Sequence, residues 1–113
     1  MAKIFYLPAN DLLGVWANSG GNEASPEFKE GVSVFKFVQT GDTKAVFSVC
    51  DDMSAQRSIL GGLRRGWTSA VCESAEFAPA NAVGVAAVKL GAAALQENGS
   101  WKMTERAVID FTT

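Results

Sequence analysis

Residues 32–49 read VSVFKFVQTGDTKAVFSV, and this stretch determines most of the fold prediction. Two runs rich in β-branched and aromatic residues flank the turn-forming residues TGDT at 40–43, a pattern typical of a β-hairpin. We expect a three-residue loop, because that length places the aromatic residues of both runs on one face of the hairpin. Lys36 and Ser48 then lie on the opposite, outward face.

A helix is predicted directly after the hairpin. Asp51 and Asp52 are typical capping residues, since carboxylates accept hydrogen bonds from the free N–H groups at a helix start. Apolar residues then recur at spacings of three and four, which indicates one buried helix face. The residues expected on that face are Met53, Gln56, Leu60, Leu63 and Trp67. Gly66 is a natural end for this helix.

Residues 82–95 form the longest apolar run of the chain and are compatible with two structures. As a helix, the run begins at an Asn81 cap and stops at the Asn98-Gly99 turn. As a strand, it has β-branched valines but no regular alternation of apolar and polar residues. The alanine content favours the helix, which we therefore predict.

Strands are expected at residues 3–7 and in the alternating segment 101–111, and a helical turn around Leu12, Val15 and Trp16. No change of composition, linker or repeat divides the chain. The sequence thus predicts a single α+β domain over residues 1–113. It would consist of an antiparallel sheet with a central hairpin and two main helices packed on one side.

The composition argues against an enzyme. The chain has no histidine, and its 10 Lys and Arg against 12 Asp and Glu give a net charge of −2. Without histidine it lacks the commonest general base, the Ser–His and Cys–His pairs and imidazole metal ligands. Cys50 and Cys72 have no neighbouring ligands for a metal and are expected to be buried free thiols. We predict no catalytic residues, no metal and no cofactor.

Glu105 keeps an enzymatic alternative open. It lies among alternating apolar residues of the predicted last strand, where burial would raise the pKa of its carboxyl group. A bulge or a strand end would instead place it at the rim of the sheet. Whether this glutamate is buried and functional stays open at this point.

The apolar run at 82–95 also suggests an oligomer interface. A helix that is apolar all round is either central to a core or packed against another chain, and a short chain has few elements to surround it. Small residues on it would let a partner backbone come close. The expected interface residues are Val83, Gly84, Ala87, Leu90, Gly91 and Ala94. The alternative is a core helix or a strand.

A basic sheet face is the second candidate site. Lys36 on the hairpin, with Lys102 and Arg106 on the last strand, would share one outward face and could follow nucleic-acid phosphates. No aromatic residue accompanies them, so base stacking on this face is not expected.

The leading functional prediction is a non-enzymatic, self-assembling structural protein, such as a viral or phage coat, decoration or tail-accessory subunit. It would form homo-oligomers. The alternatives are a small protein-binding regulator or inhibitor module, and a coat-type nucleic-acid binder that uses the basic sheet face. Neither a signal peptide nor a membrane-spanning segment is recognisable, so we expect a soluble protein made in the cytoplasm and carried in a virion if it is a coat.

Overall fold

The computed structural model describes residues 3–8, 14–16, 27–29, 33–65, 71–74, 81–97 and 99–112, with the backbone alone for residues 64 and 65. The strands are β1 (Ile4–Leu7), β2 (Val15–Trp16), β3 (Phe35–Gln39), β4 (Lys44–Val49), β5 (Cys72–Glu73), β6 (Gly84–Lys89), β7 (Gly91–Leu95), β8 (Trp101–Glu105) and β9 (Ala107–Thr112). Helix α1 spans Met53–Arg65.

The strands form two sheets. The larger is a curled, antiparallel, six-stranded sheet in the order β1-β3-β4-β7-β8-β2. The smaller has the order β5-β9-β6, with β5 parallel and β6 antiparallel to β9. The predicted fold class is therefore wrong in its helical half: the described residues are mostly β and contain one helix, not two.

The central hairpin is confirmed, including its register. Phe37 pairs with Phe47, and Lys36 pairs with Ser48 on the other face. A backbone hydrogen bond of 2.9 Å closes the three-residue loop at 41–43. The rings of the hairpin therefore face the core, and Lys36 and Ser48 face outward.

The second predicted helix is wrong, because residues 84–89 and 91–95 form strands β6 and β7. Gly91 lies against the ring of Phe47, and a Cβ added there would overlap that ring and lie 2.8 Å from the Ala107 backbone nitrogen. The alanines of β7 occupy the middle of the sheet, between β4 and β8. A glycine is thus required at position 91 by the space beside Phe47.

Strands β6 and β7 form one long, bent hairpin with β8 and β9. Gly99, with a φ of 84°, lies in its turn and uses the left-handed conformation that glycine adopts without strain. Thr104 is an extra residue on one arm and Val88 an extra residue on the other, so the two bulges compensate and the register is restored. Because bulges bend strands, the same hairpin contributes to both sheets.

Two of the remaining secondary-structure predictions are confirmed and one is wrong. The first predicted strand is confirmed as β1, and the terminal segment 101–111 is confirmed as strand, divided at Arg106 into β8 and β9. Val15 and Trp16 form β2 instead of a helical turn, because Trp16 pairs with Trp101 of β8. Leu12 lies outside the described residues.

An aromatic cluster forms the centre of the core on the inner face of the six-stranded sheet. Its ring centroids lie 4.9 to 6.0 Å apart, both stacked and edge to face. Such pairs contribute about 0.5–1.5 kcal/mol each beyond the burial of their apolar area. The buried members are Phe5, Trp16, Phe35, Phe37, Phe47 and Trp101.

Helix α1 begins at the predicted cap. The backbone N–H groups of Ser54 and Ala55 donate to Asp52 Oδ2 at 2.9 and 3.2 Å. The pKa of Asp52 is lowered by these bonds, and most by the one from the Ser54 hydroxyl, because they stabilise the ionised carboxylate.

The buried face of α1 differs from the predicted one. Ala55, Ile59 and Gly62 are buried, whereas Met53 is half exposed. The predicted face is rotated from the observed one, because three of its residues are only partly buried and flank the buried residues. These are Gln56, Leu60 and Leu63. Trp67 and Gly66 lie outside the described residues.

Candidate interaction surfaces

The outer face of the six-stranded sheet carries lysines on three strands. Lys44 pairs with Ala94, which pairs with Lys102 on the next strand, so these residues share a face. Lys36 pairs with Ser48, which lies on the same face of β4 as Lys44, because side chains alternate along a strand. The predicted pair Lys36 and Lys102 is thus brought to one face. Lys44 was not predicted to lie on this face, although it is four residues from Ser48 and residues an even number apart in a strand share a face.

These lysines are spread over the sheet. Three strand spacings separate Lys36 on β3 from Lys102 on β8, which is about 14 Å across the sheet. Arg106, the third predicted residue, is exposed at the bend between β8 and β9. The arrangement presents separate positive charges rather than one cluster.

Glu105 is exposed, contrary to the alternative in which it is a buried acid. The Thr104 bulge turns it away from the core and pairs it with Ala92. Its carboxylate lies 2.8 Å from Lys89 Nζ, and both side chains are about 60% exposed (61% for Lys89 and 59% for Glu105). The hydrogen bond and charge of Lys89 lower the pKa of Glu105, so it is an ionised surface group rather than a proton donor.

Three of the most exposed large apolar side chains in the described part of the chain lie on or beside β6. Within the described residues, β6 pairs with β9 and with no other strand. Residues 86–90 are all exposed, and the exposed fractions of Val88 and Leu90 are 65% and 51%. Val83, immediately before the strand, is 53% exposed. Val83 and residues 86–90 are called the β6 edge below.

Helix α1 covers one end of this strand. The Val85 N–H donates to Gln56 Oε1 at 3.3 Å and therefore points away from β9. The N–H groups of successive residues in a strand point to alternate sides. Ala87 lies two residues after Val85, so its N–H also points away from β9. Gly84 is buried against the helix, where an added Cβ would overlap Gln56 Oε1. The open part of the strand thus begins after Val85.

The predicted interface residues fall into two groups. Three lie on the exposed β6 edge, namely Val83, Ala87 and Leu90. Gly84 and Gly91 are buried by neighbours of the same chain, and Ala94 is half-buried on the outer face of the larger sheet. Val88, the most exposed large aliphatic residue of the edge, was missed because only the bulge turns it outward.

A cleft of about 400 Å³ lies where the hairpin meets the start of α1. Tyr6 and Phe28 form an aromatic wall, their rings edge to face with centroids 5.9 Å apart. Its other lining residues are Lys36, Ser48, Val49, Cys50, Asp51 and Asp52. The cleft therefore combines aromatic, acidic and basic side chains.

Both cysteines are buried and free, as predicted. Burial is the main cause that raises the pKa of Cys50 to about 11 and that of Cys72 to about 12. Both thiols are therefore protonated at neutral pH, which makes them poor nucleophiles. Among the residues that the structure describes, no three potential metal ligands come together.

The comparisons with known proteins found no matching family model, no matching curated protein and no matching solved structure. The described part of the chain also has no helix of the length and apolar character needed to cross a membrane. The β6 edge, the outer lysine face and the cleft are therefore the features from which a function is inferred.

Proposed function

We propose that the protein is a self-assembling structural subunit that forms homo-oligomers through the β6 edge, as coat, decoration or tail-accessory subunits do. The observation that carries the proposal is the exposure of residues 86–90 in the open part of β6, where Val88 is 65% and Leu90 51% exposed. Burying a valine or leucine side chain completely contributes about 1.5–3 kcal/mol. Exposed aliphatic residues that follow one another along an open strand are typical of a protein–protein interface.

A second copy of the chain suits this edge. An outer strand offers unpaired backbone groups that another strand can pair with, and two β6 strands can do so antiparallel about a twofold axis. Ala86 and Ala87 are small enough for close approach of the two strands. Lys89, which could repel its own copy, has its charge balanced by Glu105.

Val88→Glu is expected to weaken self-association by at least about 100-fold, since a twofold interface carries the new charge twice. The side chain of Val88 is mostly exposed, so the variant should keep its fold. Sedimentation velocity over a concentration series, with far-UV circular dichroism for the fold, measures both effects.

Met53→Glu is the matched control. Met53 is 50% exposed on α1, outside the β6 edge, and should tolerate the charge without loss of association. A wild-type chain that stays monomeric at about 100 μM, where weak specific complexes already form, would contradict the proposal. That result would favour the protein-binding regulator, with the β6 edge docking on another protein.

The outer lysine face supports a second candidate, a coat-type nucleic-acid binder. Lys36, Lys44 and Lys102 lie on one face of the sheet, although the whole chain carries a net charge of −2. Basic side chains spread over one sheet face can contact phosphates of a nucleic-acid strand that crosses it.

If three lysines contact phosphates of single-stranded RNA, log affinity should fall against log salt with a slope of about −2. Each single change to alanine at Lys36, Lys44 or Lys102 should reduce that slope by about 0.7, because one fewer counterion is released. Fluorescence anisotropy between about 50 and 200 mM salt measures the slope. Lys89→Ala, which removes a lysine paired with Glu105, is the control. A slope of zero excludes this candidate.

A further inference from the structure

We propose that the cleft between the hairpin and the start of α1 binds an organic cation, a guanidinium or ammonium group carried on an apolar chain. The group would come either from an arginine or lysine side chain of a partner polypeptide or from a free small amine. Such a site is independent of self-assembly through the β6 edge, which lies on the other sheet.

The aromatic wall is the first reason. Tyr6 and Phe28 stand edge to face at 5.9 Å, and Phe28 remains 38% exposed. A cation near such rings is attracted by the negative potential of their faces, and the methylene chain that carries it gains apolar contact. The cleft volume of about 400 Å³ suits one side chain or a small ligand.

The charges of the lining favour the same sign of ligand. Asp51 and Asp52 bring two carboxylates to the cleft and Lys36 brings one ammonium group. At the Cys50 thiol, which is buried beside them, the Asp52 carboxylate raises the pKa more than Lys36 lowers it. With two carboxylates against one ammonium group, the lining carries a net negative charge.

The start of α1 does not turn this cleft into an anion site. A free helix N-terminus attracts anions through its unpaired N–H groups. Here the N–H groups of Ser54 and Ala55 already donate to the Asp52 carboxylate. Asp51, which is exposed at the cleft, is the carboxylate best placed to meet an incoming cation.

Titration with N-acetyl-arginine amide, followed by NMR chemical shifts of Tyr6 and Phe28, tests the proposal. N-acetyl-citrulline amide has nearly the same shape without the charge and is expected to bind at least about tenfold more weakly. Inorganic phosphate should leave these signals unchanged. Equal binding of both amides, or tighter binding of phosphate, would overturn the proposal.

Variants of the lining residues sharpen this test. Asp51→Asn should weaken binding of the arginine probe about tenfold, and Phe28→Ala should weaken it about fivefold. Phe28→Leu keeps the bulk of the side chain without a ring and should weaken binding as much as Phe28→Ala does. Lys36→Met should tighten binding about threefold, because a repelling charge is removed. Weaker binding by Lys36→Met would contradict a cation site. All variants are compared at equal folded fraction by thermal melting.

Two further probes separate the sources of the cation. A short peptide with an internal arginine tests a partner polypeptide, and agmatine tests a free amine. Tighter binding of the peptide assigns the cleft to a protein partner, and tighter binding of agmatine assigns it to a small ligand. Failure of both to shift Tyr6 and Phe28 rejects the site.

Discussion

Gly91→Ala is expected to lower the free energy of unfolding by about 3 kcal/mol, at the upper end of the cost of overpacking a core. The added Cβ would overlap the buried ring of Phe47 and would also lie 2.8 Å from the backbone nitrogen of Ala107. Neither neighbour can move away easily, because Phe47 is enclosed by other rings and Ala107 belongs to β9. Urea unfolding measures the change.

Gly61→Ala is the control with the opposite sign. Gly61 lies in α1, and nothing lies within 4 Å of an added Cβ. Alanine in a helix is favoured over glycine by about 1 kcal/mol, so this variant should be more stable than the wild type. If Gly91→Ala were equally stabilising, residues 82–95 would be helical, as their alanine content suggests.

Phe47→Ala is expected to cost about 3–5 kcal/mol, the usual loss when a buried aromatic residue is truncated. The ring of Phe47 lies 5.1, 5.9 and 5.5 Å from those of Trp16, Phe35 and Phe37. Its removal leaves a cavity in the centre of the aromatic cluster. Because whole domains are stable by about 5–15 kcal/mol, a large part of the stability should be lost.

Phe28→Ala is the matched control for this loss. Phe28 also contacts another ring, that of Tyr6, but it is 38% exposed. The expected loss is about 1–2 kcal/mol, because the pair with Tyr6 is lost but the ring is only partly buried. Equal losses for both variants in urea unfolding would contradict the placement of Phe47 at the centre of the core.

The hairpin was predictable because its information is local. Residues 32–49 contain both strands and their turn, and the loop length fixes which side chains share a face. The helix cap at Asp52 was predictable for the same reason. The exposure of Met53 was not, because it depends on how α1 packs against β4 and β6.

Residues 82–95 were mispredicted because their small side chains are required by contacts with residues that are distant in sequence. Gly91 fits beside Phe47 of β4, and Gly84 fits beside Gln56 of α1. Neither contact is visible in the run itself, where glycine and alanine otherwise suggest close helix packing.

The candidate surfaces also divide into features that follow from the local sequence pattern and features that do not. The shared face of Lys36 and Lys102 follows from strand alternation and was anticipated. The exposure of Glu105 and Val88 follows from two bulges that add one residue to each arm of the long hairpin. A pattern of strict alternation gives no sign of where such a bulge falls, so the sequence left open whether Glu105 is buried or lies at the rim.

Hydrogen exchange of the β6 amides at two protein concentrations is the most direct test of assembly through this edge. We expect the N–H of Ala87, which points away from β9, to exchange at least about tenfold more slowly at 100 μM than at about 1 μM, because strand pairing protects it. The Val88→Glu variant should show no such difference. Association of the wild type without any slowing at residues 86–90 would contradict the proposal and place the interface elsewhere.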